Sequence, residues 1–355
     1  MQFGLSEEQK MLAENVRRAF ELPLTFGRRE LAIVPSIGVA VASRQSPATP
    51  IELITHADQA MYRAKRDKSG VRVFDDAQRR EVLDRREVER ALVPALAEGQ
   101  FRVHYQPIVS VGAGRVIGLE ALLRWQHPIH GIIGTERFLP VAEEAGMLGR
   151  LSDVALREAA SQMSLWNEHT TPGSGPAPLF VGINVAERQL IDPMFPERLA
   201  DVVIWAGVPA GQIALEIGED LLLRRADESA NVLRRLSELG VALVVDDFGT
   251  SRAALSRSRS LDMVDHLKID RSLIGAMARD DVARAVVEAS VSMARALDLE
   301  IIAEGVETLE QRFLLEEMGI DRMQGYLFLR PLSAEELEQR GMIADPRLVG
   351  FVDQG

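Results

Sequence analysis

The apolar run Val241-Ala242-Leu243-Val244-Val245 ends on two adjacent carboxylates, Asp246 and Asp247, before Phe248-Gly249-Thr250. A run of that length reads as a buried strand. Like charges ~4 Å apart repel by about 4 kcal/mol at an effective dielectric near 20. A fold accommodates such a pair where a cation lies between the two acids or where both reach water. The same grammar recurs along the chain. Apolar segments end on Glu120, on Asn184, on Glu216, on Asp270 after Lys268, on Glu304 and on Gln324. Short β-like segments alternate with longer helical ones, and each strand exit carries a polar group. Polar function at successive strand exits is the signature of a (β/α)8 barrel.

Eight strands are expected near 101–108, 116–122, 179–184, 213–217, 241–246, 265–269, 300–304 and 322–328. Helices are expected at 138–169, 196–206, 221–239, 279–297 and 307–318. Only Gly112-Ala113-Gly114-Arg115 joins the first two strands. A parallel pair needs a crossover of about a dozen residues, so the first strand should run antiparallel to the second. The fold class is therefore α/β: a (β/α)8 TIM-like barrel with an antiparallel first strand, preceded by a small partial α+β segment. The expected divisions are a segment at 1–75, a charged linker helix at 76–95, the barrel at 96–342 and a tail at 343–355. Within the first segment, 6–21 and 51–66 have helical spacing, the latter with Ile51, Ile54, Ala57, Met61 and Ala64 on one face. Residues 25–29 read as a hairpin turn and 71–74 as a short strand.

Several function classes are excluded at this level. A net charge of −12 with no basic tract argues against a nucleic-acid polymer as partner. The absence of cysteine removes disulfides, thiolate metal sites and cysteine nucleophiles. No apolar run reaches the ~18 residues of a spanning helix, and the N-terminus lacks a signal pattern, so no membrane contact and a cytoplasmic location are expected. An acidic protein can still bind a phosphate ester if metal ions supply the positive charge.

Glu120, Asn184, Glu216, Asp246 and Asp247 are hard oxygen donors, which suit Mg²⁺ or Mn²⁺ rather than zinc. Two such ions ~3.5–4 Å apart bind a phosphodiester, ready a water and stabilise the leaving oxygen. Asp246 is the natural bridging ligand. Lys268 suits a role at the water or at a phosphate oxygen, and Glu304 suits the second ion's shell or proton uptake. Blander readings stand beside these: a solvated strand end for Asp246-Asp247, an ion-paired lysine for Lys268, a helix start for Glu307 and a cap for Asp270. The six histidines show no ligand spacing.

Residues from about 85 to 340 resemble the EAL domain, the cyclic-di-GMP-specific phosphodiesterase family. The resemblance is carried by Tyr105-Gln106-Pro107-Ile108, Glu120-Ala121-Leu122-Leu123-Arg124-Trp125, Phe138-Leu139-Pro140-Val141-Ala142-Glu143 and Asn184-Val185-Ala186-Glu187-Arg188-Gln189-Leu190. It continues through Glu216-Ile217-Gly218-Glu219, Asp246-Asp247-Phe248-Gly249-Thr250, Lys268-Ile269-Asp270, Ala303-Glu304-Gly305-Val306-Glu307-Thr308, Gln324-Gly325-Tyr326 and Arg330-Pro331-Leu332. So many motifs in order make the match highly specific. It implies hydrolysis of cyclic di-GMP to linear pGpG, and a homodimer. It implies Glu120, Asn184, Glu216, Asp246 and Asp247 as ligands of two Mg²⁺ or Mn²⁺ ions. Glu304 then lies in the metal and water shell and Lys268 near the attacking water, so that Lys268, Glu304 and Glu120 form the catalytic set. Gln106, Leu123, Arg124 and Gln324 match substrate-side positions. Glu219 matches a residue that supports the loop after the two aspartates.

That loop departs from the family. It reads Ser251-Arg252-Ala253-Ala254-Leu255 where the family usually has Gly-Tyr-Ser-Ser-Leu, and Ala186 and Gly218 stand where a hydroxyl is usual. These departures favour the alternative, a catalytically weak receptor that binds cyclic di-GMP and signals through contacts. Residues 1–75 resemble the C-terminal half of a GGDEF domain, through Pro35-Ser36-Ile37-Gly38-Val39-Ala40 and Ala57-Asp58-Gln59-Ala60-Met61-Tyr62-Arg63-Ala64-Lys65. The signature motif itself is absent, so cyclase activity is not expected.

Overall fold

The computed structural model describes residues 16, 24–26, 29–31, 35–40, 50–66, 71–73, 76–168, 179–250 and 262–343. The chain divides into two compact units, Met1–Arg90 and Ala91–Gly355. The boundary falls inside the helix Asp76–Ala97.

In the first unit, β1 (Leu24–Phe26) pairs antiparallel with β2 (Arg29–Leu31), and Phe26 stands opposite Arg29, as a hairpin turn requires. Strand β3 (Ile37–Val39) pairs parallel with β4 (Val71–Val73), and the connection contains helix Pro50–Arg66. This helix buries Ala60 and Ala64, whereas Ile54 and Met61 of the expected apolar face are 72% and 39% exposed. The helix backbone approaches β3 closely at Gly38, where a Cβ would lie 1.9 Å from the Ala57 carbonyl oxygen. Of the helix expected at 6–21, only Val16, helical here, lies within the described residues.

The second unit is a closed barrel. Its strands are β5 (Phe101–Ser110), β6 (Arg115–His127), β8 (Phe180–Asn184), β9 (Ile213–Gly218), β10 (Ala242–Phe248), β11 (His266–Ile269), β12 (Glu300–Ala303) and β13 (Arg322–Met323). They join in that order, and β13 pairs with β5 to close the ring. Strand β5 is antiparallel to both neighbours, β6 and β13, and the remaining ring pairs are parallel. The four-residue link between β5 and β6 thus has the consequence anticipated for it. Strands β9 and β11 are buried almost throughout, because helices cover the outer face and packed side chains fill the inside.

Four expected elements differ, one of them the helix at 221–239, which is two helices, Glu219–Arg224 and Ala226–Glu238, broken at Arg225. Strand β6 continues to His127 because its far half pairs with a short hairpin partner, β7 (Gly131–Ile133). The long helix at 138–169 is two helices, Thr135–Glu144 and Leu148–Glu168, with the chain turning where the Met147 amide returns to the Ala142 carbonyl. Phe138 of the first helix packs on Phe101, with ring centroids 5.4 Å apart, and seats that helix on β5. The last strand stops at Met323 rather than running to 328. The chain turns at Gly325, whose carbonyl accepts from the amides of Phe328 and Leu329. A Cβ at Gly325 would lie 2.1 Å from the Val306 carbonyl oxygen. That contact is backbone, so it cannot yield cheaply. Gly325→Ala should therefore lower stability by about 1–3 kcal/mol through forced backbone shifts. Urea unfolding monitored by circular dichroism measures this, and an unchanged midpoint would show that the close approach is not needed.

Candidate functional site

Lys268 is fully buried at the centre of the barrel mouth, on β11. Its Nζ donates to Glu216 Oε2 at 2.9 Å and lies 3.3 Å from both Glu120 Oε2 and Asp246 Oδ1. It also forms an ion pair with Glu304. Four carboxylates from β6, β9, β10 and the exit of β12 thus surround one ammonium. Burial alone would lower the Lys268 pKa, but Asp246, Glu120, Glu216 and Glu304 outweigh it and hold the amine charged. One positive charge cannot balance four negative ones in a dry site. Burial accordingly pushes the Glu216 and Glu304 carboxyls well above the usual range, despite the attraction of Lys268.

Amides complete the network. Asn184 Nδ2 bridges Glu120 Oε1 at 3.4 Å and Glu216 Oε2 at 3.3 Å. Gln324 Nε2 donates to Glu120 Oε2 at 2.6 Å and to Gln106 Oε1 at 3.2 Å. Gln106 donates in turn to the Leu329 carbonyl. Glu219 opens the helix after β9 and accepts from the Gly249 amide at 3.0 Å, which ties it to the end of the Asp-Asp strand.

The two aspartates are arranged by a β-bulge. In the pairing of β10 with β11, Val245 stands opposite Leu267 and Phe248 opposite Ile269, so Asp246 and Asp247 together face the single residue Lys268. Neighbouring residues of a regular strand point to opposite faces. The bulge breaks that alternation, and Asp247 adopts φ 54°, a left-handed conformation that aspartate tolerates better than most residues. Carboxylate oxygens of Asp246, Asp247 and Glu304 consequently lie within 4.8 Å of one another. Asp247 is solvent-accessible, yet partial desolvation of its carboxyl, then the charges of Asp246 and Asp270, push its pKa up to about 6. Asp270 itself caps the helix Arg271–Ala276 by accepting from the Ser272 amide.

These donors fit a divalent cation. All are oxygens, which are the ligands of Mg²⁺ and Mn²⁺. The buried Asp246 Oδ1 and Glu304 Oε1 accept no hydrogen bond of good geometry, although both lie in ion-pair range of Lys268. Cation binding would supply the positive charge that Lys268 alone does not.

A cavity of about 580 Å³ opens above this cluster. Gln106, Glu120, Leu123, Arg124, Asn184, Asp246, Asp247, Glu304 and Gln324 all line it. Glu216 and Lys268 lie beneath as a buried floor, and Glu219 acts from behind through Gly249. Of the site residues expected from the sequence, all but Glu219 therefore line the cavity or form its floor. The wall also includes Arg271, Glu307 and Tyr326, which sequence reasoning did not assign to the site. Arg271 directly follows Lys268-Ile269-Asp270, so its position just past a strand exit was the available signal. The loop departure at 251–255 lies outside the described residues.

If the bulge sets the site, Asp247→Val should cost about 1–3 kcal/mol for a branched side chain at positive φ, whereas Asp247→Asn should leave the backbone unstrained. Equal stabilities of the two variants in urea would remove the strain argument. A raised carboxyl pKa also fixes a sign. The folded state binds the Asp247 proton more tightly than the unfolded chain, so this contribution is present below pH ~4 and lost as pH rises through about 6. In EDTA, melting temperature should fall across that window more for the wild type than for Asp247→Asn, and Mg²⁺ or Mn²⁺ should reduce the difference. Parallel pH profiles would refute the assignment.

Comparison with known proteins gives a consistent result. A family profile described as EAL domain matches residues 87–331. An uncharacterised signalling protein of Caulobacter vibrioides is 35% identical over 98% of this chain and 42% of its own length. The bifunctional diguanylate cyclase/cyclic di-GMP phosphodiesterase MucR of Pseudomonas aeruginosa is 35% identical over 92% of this chain and 47% of its own length. The chain thus spans about half the length of the curated relatives it matches. Among solved structures, the MucR phosphodiesterase in complex with c-di-GMP has TM-score 0.65 at 36% identity, covering 71% of this chain and 99% of the other. The EAL enzyme Bd1971, bound to cAMP and cyclic di-GMP, has TM-score 0.68 at 27% identity, covering 84% of this chain and 77% of the other.

Proposed function

The chain belongs to the EAL domain family, and we propose from that premise that it is a metal-dependent phosphodiesterase that hydrolyses cyclic di-GMP to linear pGpG. The observation that carries the reading is the intact donor set: Glu120, Asn184, Glu216, Asp246, Asp247 and Glu304, gathered around Lys268 at the base of one cavity. A solved relative, MucR, is a phosphodiesterase in complex with c-di-GMP.

Glu120, Asn184, Glu216, Asp246 and Asp247 would hold two Mg²⁺ or Mn²⁺ ions, with Glu304 beside them. When bound, such ions neutralise phosphate charge, acidify a water and stabilise a leaving alkoxide. The chain's own residues do the rest. Lys268 holds four carboxylates at fixed spacing, which preserves the geometry on which turnover depends. Glu304, beside Asp246 and Asp247, would take the proton of the attacking water. Water adds across one P–O3′ bond: its hydroxyl goes to phosphorus and its proton reaches the departing 3′-oxygen. Gln106, Leu123, Arg124 and Gln324 line the wall where the nucleotide is oriented. Glu219 steadies the turn after Asp247.

In the same reading, the first unit is the C-terminal part of a GGDEF-like domain, the barrel spans 96–342, and the protein works as a homodimer. Among the described residues no helix is long and apolar enough to cross a membrane.

The test is incubation with cyclic di-GMP in Mg²⁺, Mn²⁺ or EDTA, with pGpG followed by chromatography. Metal-dependent pGpG is expected from the wild type, and Glu120→Ala and Asp246→Asn should each reduce turnover by at least ~100-fold. Wild-type rates in these variants would sink the metal assignment. Tight binding without product would make the protein a receptor.

A further inference from the structure

Charge balance in the cavity points beyond the residues already assigned. Five carboxylates, from Glu120, Glu216, Asp246, Asp247 and Glu304, face the one ammonium of Lys268. Two divalent ions would bring that cluster to neutrality and leave the two phosphate charges of a cyclic dinucleotide unanswered. Among the described residues the cavity wall offers two further cations, Arg124 and Arg271.

The two arginines differ in their surroundings. Arg124 is half-buried, near Glu136, and its guanidinium donates to the Leu123 carbonyl at 2.9 Å. Arg271 is exposed, and it makes no ion pair or side-chain hydrogen bond among the described residues. Glu307, the acid that shares this wall, is not paired with it either. The ring order places β6, which carries Arg124, four strands from β11, which Arg271 follows, so the arginines stand on opposite sides of the mouth. Backbone packing fixes the stem of Arg271: a Cβ on Gly305, itself at φ 68°, would lie 2.5 Å from Arg271 Cβ. Gly305 directly follows Glu304, so the Arg271 stem is anchored beside the acid cluster while its head is free in the cavity.

We propose that Arg271 is a substrate-positioning residue whose guanidinium binds a phosphate of the dinucleotide from the side opposite Arg124. Arginine suits this task, because its planar fork matches phosphate oxygens with two parallel hydrogen bonds. The inference rests on the phosphodiesterase reading, and it concerns recognition rather than the bond-breaking step. Its signature is therefore a change in KM and in the Kd for cyclic di-GMP, with little change in kcat.

Steady-state kinetics of wild type, Arg271→Ala and Arg271→Lys test it, alongside calorimetric binding of cyclic di-GMP to each protein carrying a second Glu120→Ala substitution. Arg271→Ala should raise KM by roughly ten-fold or more, the loss expected for a charge-assisted contact, with kcat within about three-fold. Arg271→Lys should recover part of the loss, because it keeps the charge but not the fork. Because Arg271 is exposed, its melting temperature should not move. Unchanged KM and Kd in Arg271→Ala beside an active wild type would overturn this inference alone. A wild type that neither binds nor hydrolyses cyclic di-GMP would overturn the functional reading and this inference with it.

Discussion

The ion pairs of Lys268 with Glu120, Glu216, Asp246 and Glu304 organise the barrel mouth. Each of these groups comes from a different strand or strand exit, and each would cost several kcal/mol to bury alone. The lysine lets four acids approach within contact distance of one atom. Its charge is insufficient for all of them, so the cluster stays short of cations and its acids are held above their usual pKa range. Such a cluster could hold a divalent metal, which would supply the missing positive charge. Asn184, Gln324 and Gln106 then spend their hydrogen bonds on orienting the same carboxylates.

The barrel explains why this is possible. Parallel strands deliver their C-terminal ends to one rim, and the antiparallel β5 brings Gln106 to the same mouth, opposite Glu120 of β6. The bulge at Asp246-Asp247 adds a second acid from one strand, which regular alternation would have pointed into the surrounding helices. Support for that bulge comes from outside the cavity, through the bond from the Gly249 amide to Glu219. A residue that does not touch the cavity thus braces the strand end that carries the two aspartates.

Much of this was legible in the sequence. Apolar runs ending on oxygen donors determined the eight-strand alternation, because a buried strand must be apolar and its exit must meet water or ligand. The short link at 112–115 determined the antiparallel start, because no crossover fits in four residues. The oxygen donors themselves followed from residue type alone. What the tertiary structure decided was relative placement. Whether Lys268 was a surface lysine or the hub of the site depends on closure of the ring, which brings Glu120 of β6 and Glu216 of β9 to it beside the acids of the adjacent strands. The bulge depends on register between β10 and β11, which pattern does not specify. The end of β13 depends on backbone contact between Gly325 and Val306, and the availability of Arg271 depends on which acids fail to reach it. Local periodicity encodes what each segment buries; only the closed ring fixes which charges meet, because electrostatic partners are chosen by distance in space.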